Sequence, residues 1–179
     1  MSSSLQEAAS MMNERNKTMD IKYVITYFNK WKRPYYYSED DRTCVNTEMS
    51  QYETTDKDLA LHIAKDFLDV PEAKMTLDEV RKEFEDHRSG EIPEEKLVAI
   101  QNYYNGRLAL YEHVKTMFAS EPWLKPSSGD ASQDGQTPDY TRWFDIPYEY
   151  NHFMVYDDGG DENKEEQLEA YLKVDVYIN

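Results

Sequence analysis

The segment Leu168–Ile178, LEAYLKVDVYI, decides the fold because apolar and polar side chains alternate along it. Successive side chains of a β-strand point to opposite faces, so this alternation gives one apolar and one polar face. The segment therefore predicts a strand with one buried side. Its apolar face would carry Leu168, Ala170, Leu172, Val174, Val176 and Ile178.

Strand-like content also occurs near the N-terminus and before the last strand. Asp20–Trp31 is rich in aromatic and β-branched residues, which suit a pleated surface. Lys30–Pro34 predicts a turn, because proline removes a donor and restricts its predecessor. Tyr35–Tyr37 and Thr43–Val45 would form the second strand of a hairpin. Trp143–Tyr156 returns to aromatic, strand-like residues, with Tyr148 and Tyr150 on one face.

Three helices are predicted between these strands. Thr55 would cap the first, which ends before Pro71. Thr76 and Glu79 form a capping box for the second, and Pro93 suits the first turn of the third. The third has the clearest apolar stripe, with a spacing of three or four residues: Leu97, Ile100, Tyr104, Leu108, Tyr111, Val114 and Phe118.

Gly106 interrupts this long helix. Glycine in a helix interior costs about 1 kcal/mol relative to alanine. Its presence predicts that another element packs closely against the helix at this position.

The order of elements predicts an α+β fold. Strands from both ends of the chain would meet in one antiparallel sheet, with the helices packed on its apolar face. We expect a flexible leader over residues 1–18 and a single domain over 19–179, with a mobile loop at 125–139. A chain of 179 residues can bury a sizeable core without disulfides or metals.

The net charge is the strongest compositional signal. The chain has 36 acidic and 20 basic residues, giving −16, although residues 1–38 are net positive. A field of this sign repels nucleic acids and anionic membranes and attracts basic protein surfaces. We expect no direct nucleic-acid binding unless residues 1–38 act alone. The polar N-terminus, the absence of a long apolar run and the lone Cys44 favour a soluble, cytoplasmic protein.

The sequence contains no recognisable catalytic or cofactor motif. The four histidines lack helical metal-ligand spacing, and neither a nucleophile elbow nor a phosphate-binding glycine loop is present. Asp157–Asn163 is calcium-like in composition, but its spacing does not match an EF-hand loop. Acidic residues near aromatic ones resemble a sugar-cleaving site, but 36 acidic residues make such coincidences ordinary. We therefore expect no metal, no cofactor and no catalysis.

Tyrosine is the remaining signal. The chain has fifteen tyrosines and three tryptophans, and Tyr35, Tyr36 and Tyr37 are consecutive. Three consecutive side chains cannot all face one core, and tyrosine is common at interfaces. These three are therefore candidates for partner binding, although half-buried packing residues would give the same composition.

The leading functional expectation is a non-enzymatic, acidic protein-binding module that docks on a basic surface. Its sharper version is a nucleic-acid-mimicking inhibitor, of the kind carried by phages and mobile elements, that blocks a nucleic-acid-binding host protein. The alternatives are an accessory subunit of a larger assembly, a small enzyme with an unrecognised site, and charge that serves solubility alone. The candidate carboxylates are Asp78, Glu79, Glu83, Glu85, Asp86, Asp157, Asp158, Asp161 and Glu162.

Overall fold

The computed structural model describes residues 20–34, 43–85, 91–125, 136–151 and 166–179. Several predictions fall outside these ranges. They are the leader at 1–18, most of the loop at 125–139, the candidates Tyr35, Tyr36, Tyr37 and Asp86, and the late carboxylates Asp157, Asp158, Asp161 and Glu162.

Four antiparallel strands form one sheet in the order β2-β1-β4-β3. The strands are β1 (Ile21–Pro34), β2 (Thr43–Thr54), β3 (Tyr140–Asp145) and β4 (Glu166–Ile178). The N-terminal and C-terminal strands β1 and β4 lie side by side at the centre. This arrangement confirms the predicted α+β fold and the predicted β1–β2 hairpin.

Three α-helices connect β2 to β3: α1 (Lys57–Phe67), α2 (Leu77–Glu85) and α3 (Glu94–Ser120). Two short 3-10 helices follow, η1 (Pro122–Leu124) and η2 (Tyr148–Tyr150). Helix α1 and the C-terminal half of α3 pack on the sheet, whereas α2 packs on the N-terminal half of α3. The apolar residues of α2 therefore belong to a cluster that contains no residue of the sheet.

The main core lies between the sheet and the helices α1 and α3. Alternation places Tyr23, Ile25 and Tyr27 of β1 on this side, and all three are buried. The predicted apolar face of β4 is also present, with Ala170, Leu172, Val174 and Val176 buried. Leu168 is the exception: it is 44% exposed, at an irregularity where the β1–β4 register shifts next to Trp31.

Aromatic side chains close one end of this core. Trp123 meets Tyr23 and Phe118 edge-on, with ring centroids 5.6 Å apart in each pair. Burial raises the pKa of Tyr23 to about 12, so the phenol stays neutral well into the alkaline range. Because this pKa lies above the unfolded value of about 10, the associated stability is complete below pH 10. It is lost as the pH rises through about 12.

A second, smaller core joins α2 to α3. Val80 of α2 and Leu97 of α3 are fully buried, and Ile92 and Ile100 are buried beside them. Phe84 and Tyr104 pack at its margin with ring centroids 6.2 Å apart. The N-terminal part of the predicted apolar stripe of α3 thus packs against α2, and its C-terminal part packs against the sheet.

Two predictions about strands are wrong. Lys30–Pro34 continues β1 rather than forming a turn, and β2 runs to Thr54 instead of ending at Val45. Pro34 is tolerated because it lies beyond Lys32, the last β1 residue paired with β4, so no hydrogen bond is lost on that side. The remaining β2 residues escaped detection because an edge strand is exposed on both faces and needs no apolar alternation.

The chain after β3 also differs from prediction. Tyr148 and Tyr150 belong to η2 and not to a strand. Pro147 precedes them with φ −62°, and a 3-10 bond joins the N–H of Tyr150 to the carbonyl of Pro147. Proline cannot donate to a strand ladder, so the chain leaves the sheet at this point.

Helix caps were predicted with mixed success. The first bond of the predicted Thr76–Glu79 capping box is confirmed, since Thr76 Oγ1 accepts from the Glu79 N–H at 3.2 Å. The Glu79 carboxylate accepts from the Thr76 hydroxyl at 3.0 Å. Asp56, rather than Thr55, caps α1 by accepting from two backbone N–H groups. Pro93 is the N-cap residue of α3, one position before the predicted first turn.

Gly106 makes the predicted close contact, and its partner is Tyr150. A Cβ at position 106 would lie 2.0 Å from Cδ1 of that ring, far inside contact distance. Gly106→Ala should therefore lower the unfolding free energy by about 1–3 kcal/mol, although alanine favours a helix. Urea denaturation measures this loss. Adding Tyr150→Ala should remove the clash, so equal losses in the Tyr150 and Tyr150→Ala backgrounds would contradict the contact.

Candidate binding surfaces

A buried arginine lies at the junction of α3, β1 and η2. Arg107 is 2% exposed, and its guanidinium donates to two backbone carbonyls, those of Tyr150 (2.5 Å) and Leu68 (3.4 Å). It also donates to the Tyr27 hydroxyl at 3.2 Å and the Asn151 side-chain oxygen at 3.0 Å. All four acceptors are neutral. They lie on β1, at the C-terminal end of α1 and at η2, so the guanidinium ties α3 to three other elements.

Tyr103 encloses the same guanidinium from one side. Its ring lies 4.7 Å from the Arg107 guanidinium carbon, and its hydroxyl donates to Asp69 at 3.2 Å. Burial raises the pKa of the Tyr103 phenol, and this effect outweighs the opposing effect of the nearby Arg107 charge. The phenol therefore remains neutral.

Side-chain amides extend this network across the sheet. Asn29 and Asn151 exchange hydrogen bonds of 2.8 and 3.0 Å, and Asn151 also donates to Gln167 at 2.9 Å. Gln167 in turn donates to the Ile146 carbonyl at 2.7 Å. The network connects β1, η2 and β4, and its hydrogen bonds are directed into the protein. Asn29 and Asn151 are both buried, so the network is part of the internal framework of the fold.

A shallow cavity of about 390 Å³ lies beside Gly106 and Tyr150. Its lining includes the oppositely charged Lys74 and Glu112, together with Asn105. The Asn105 side chain is hydrogen-bonded to the backbone of Met75. It accepts from the Met75 N–H and donates to the Met75 carbonyl, both at 2.8 Å. The lining brings together no nucleophile with a hydrogen-bonded base.

Helix α2 carries the four predicted partner-binding carboxylates that the structure describes. Asp78, Glu79 and Glu83 are exposed, and Glu79 also serves the capping box. Glu85 is half-buried, accepts from the Ile92 N–H at 3.4 Å and lies 3.8 Å from Arg81. The four carboxylates therefore share one helix. Glu79 and Glu85 make hydrogen bonds within the fold, so Asp78 and Glu83 are the better candidates for partner contact.

The sheet side that faces away from α1 and α3 forms a second surface, called here the open face. Phe28 and Tyr171 stack across β1 and β4 with ring centroids 5.1 Å apart, and Trp143 meets Tyr171 edge-on at 4.7 Å. Met49 lies directly opposite Phe28 on β2 and is 60% exposed. Within the described residues, no helix packs on this face.

The open face has a mixed charge pattern. Lys173 lies 4.8 Å above the Trp143 ring and 3.4 Å from Asp175, while Lys22 pairs with Glu53 at 2.7 Å. Cations and carboxylates thus neutralise each other here, in contrast to the chain as a whole. The face suits apolar and aromatic contact more than phosphate binding.

Sequence reasoning missed the open face and Arg107, although both left a signal. Tyr171 lies on the polar side of the β4 alternation, and Phe28 lies between the buried positions of β1. An aromatic residue on a strand's second face is a sign of a binding surface or of further packing. Arg107 lies three residues after Tyr104 and four before Tyr111, which is a position of the apolar stripe.

Two further features, a metal-ligand cluster and a membrane-spanning helix, are not found in the part of the chain that the structure describes. No group of three or more His, Cys, Asp or Glu residues there could hold a metal ion. None of the described helices is both long and apolar enough to cross a membrane. Comparisons with protein-family models, curated proteins and solved structures produced no match.

Proposed function

We propose that this chain is a non-enzymatic protein-binding module that docks its acidic surface on a basic partner. The observation that carries the proposal is the placement of α2. This helix packs on the outer half of α3, away from the sheet, and turns Asp78, Glu79 and Glu83 to solvent. A projecting acidic helix on a chain of net charge −16 can approach a partner without hindrance from the sheet.

Electrostatics would act mainly on the rate of encounter. Complementary potentials raise association rates well above the value for neutral surfaces, and salt screens them. The Debye length falls from about 10 Å at 0.1 M salt to about 3 Å at 1 M. Binding through α2 should therefore weaken at high salt, chiefly through slower association.

The nucleic-acid-mimic version requires a higher charge density than α2 alone provides. The nine residues of α2 carry four carboxylates and two cations, Arg81 and Lys82. Nine helical residues span about 13.5 Å, and a DNA strand carries about four charges over that length. The net charge of α2 is about half as large, so a mimic would need carboxylates beyond this helix. General docking on a basic surface requires no such match.

The accessory-subunit function is a second candidate, and the open face favours it. Phe28, Tyr171 and Trp143 form an aromatic row that an adjoining subunit could cover. Such a contact would depend on buried apolar area and respond little to salt. Salt dependence therefore separates the two functions.

The test begins with partners captured from lysate on the full chain and identified by mass spectrometry. Binding kinetics are then measured at low and high salt. The pair Asp78→Asn with Glu83→Lys should slow association several-fold at low salt without unfolding the protein. Glu85 is left unchanged, because its carboxylate accepts a hydrogen bond from the Ile92 N–H. Reversing its charge would disturb the junction between α2 and α3.

A matched control makes the same charge change elsewhere. Asp66→Asn with Glu112→Lys alters exposed carboxylates on α1 and on the other half of α3, with side chains 61% and 57% exposed. We expect this pair to change association much less than the α2 pair. Equal effects of the two pairs, or an affinity indifferent to salt, would rule out docking through α2.

A further inference from the structure

The outer side of β2 is a long strand edge that no described strand pairs with. All twelve residues of β2 pair with β1, from Thr54 opposite Tyr23 to Thr43 opposite Pro34. No other described strand lies beside it, because β2 ends the sheet. An edge strand turns alternate backbone N–H and C=O groups outward, where they can pair with another strand.

The two edges of this sheet differ in protection. β3, the other edge, has only six residues, lies between Pro138 and Pro147, and carries Arg142. Short length, prolines and cations are devices that keep natural edges from pairing. β2 is twice as long, contains no Pro, Lys or Arg, and pairs with β1 without a bulge.

We propose that β2 is a strand-addition site that accepts an extended, basic segment of a partner protein. Backbone hydrogen bonds along the edge would supply affinity, as in other β-augmentation complexes. This inference goes beyond docking through α2, because it concerns a different surface and a different mode of recognition.

Charge selects the occupant. The charged residues of β2 are Glu48 and Glu53, and Glu53 is already paired with Lys22 at 2.7 Å. Glu48 is exposed and lies opposite Asn29, on the helix side of the sheet. A lysine or arginine of an added strand would meet Glu48, whereas a second copy of a chain of net charge −16 would be repelled.

Apolar side chains of β2 also select the residues of an added strand. Val45 and Met49 are 54% and 60% exposed, and alternation places both on the open face. Met49 adjoins Phe28, which stacks on Tyr171, so the apolar row crosses the sheet and reaches the edge at β2. An added strand with apolar residues on one face and basic residues on the other would continue this row.

The probe is a short fluorescein-labelled peptide that alternates lysine and valine. Fluorescence anisotropy measures its binding to the full chain, and amide hydrogen exchange reports on residues 43–54. We expect saturable binding and slower exchange in β2. Met49→Lys and Glu48→Lys should each weaken binding by up to about fivefold, since cross-strand pairs contribute up to about 1 kcal/mol.

Two protein controls match these variants. Val98→Lys on α3 and Glu149→Lys in η2 make the same chemical changes at exposed positions outside the sheet edge. Both should bind the peptide with nearly the affinity of the unmodified chain. The α2 pair Asp78→Asn with Glu83→Lys should also leave peptide binding nearly unchanged, so failure of one proposal is distinguishable from failure of the other.

A backbone control separates strand addition from simple charge attraction. A peptide N-methylated at alternate residues keeps its charge but cannot donate along one edge, and it should bind far more weakly. Equal binding of the N-methylated peptide, or unchanged exchange in β2, would overturn the proposal. A stable dimer with protected β2 amides, seen by light scattering before any peptide is added, would assign the edge to a second copy instead.

Discussion

Arg107→Met should lower the unfolding free energy by about 3–5 kcal/mol, because several buried acceptors then lose their donor. The carbonyls of Tyr150 and Leu68 lose this donor. The Asn151 amide oxygen and the Tyr27 hydroxyl lose it too, but they still accept from the Asn29 side chain at 2.8 and 3.4 Å. Each buried acceptor left unsatisfied costs about 1–3 kcal/mol, and relief from burying a charge offsets part of the sum. Guanidinium chloride denaturation, with constant m-values as a check, measures the change.

Two further variants test why the loss occurs. Arg107→Lys keeps the positive charge but not the planar fork, so it should lose most of the same stability. Arg81→Ala removes an arginine whose side chain is 44% exposed, and it should change the free energy by no more than about 0.5 kcal/mol. A lysine variant as stable as the parent would show that charge, and not the hydrogen-bond geometry, holds the junction.

The central part of the fold could be predicted from sequence because strong local patterns and burial agree there. β4 alternates strictly, and four of its six apolar positions are buried. The Thr76–Glu79 box depends only on residues within one turn, so no tertiary information is needed. Gly106 was informative because its helix cost implied a compensating contact, which Tyr150 makes.

The edge strand β2 and the buried polar network around Arg107 were harder to predict from the sequence. Ser50, Gln51 and Tyr52 carry no apolar period, since β2 is stabilised by pairing with β1 and not by burial of its own side chains. Arg107 looks like a surface residue by composition, because arginine is rarely fully buried. Its acceptors come from Leu68, Tyr150 and Asn151, which are distant in sequence and meet only in the folded chain.

The candidate surfaces follow the same division. The carboxylates of α2 are local, and their common helix follows from the capping box and the apolar spacing. The aromatic row requires the register that brings Phe28 opposite Tyr171, which no single segment reveals. The charge pattern of the sequence therefore predicts the acidic surface of α2, whereas the aromatic row of the open face follows only from the pairing of the strands.

Deleting residues 167–179 should abolish cooperative unfolding, because it removes the strand on which both halves of the sheet depend. β4 pairs with β1 along Ile21–Lys32 on one side and with all of β3 on the other. It also supplies Leu172, Val174 and Val176 to the main core, each fully buried. Burying one such side chain contributes about 1.5–3 kcal/mol, and domains are stable by only about 5–15 kcal/mol in total.

A point variant tests the same strand at full length. Val174→Asp places a carboxylate in the core, where an unpaired charge costs several kcal/mol, and should broaden or remove the thermal transition. Glu169→Thr changes an exposed residue of the same strand and should leave the transition nearly unchanged. Calorimetry measures the transition, and the near-ultraviolet and far-ultraviolet circular dichroism signals together distinguish loss of packing from loss of secondary structure. Without β4, β3 has no described strand to pair with. A truncated chain that keeps a cooperative transition at the parental midpoint would therefore contradict the central position of β4.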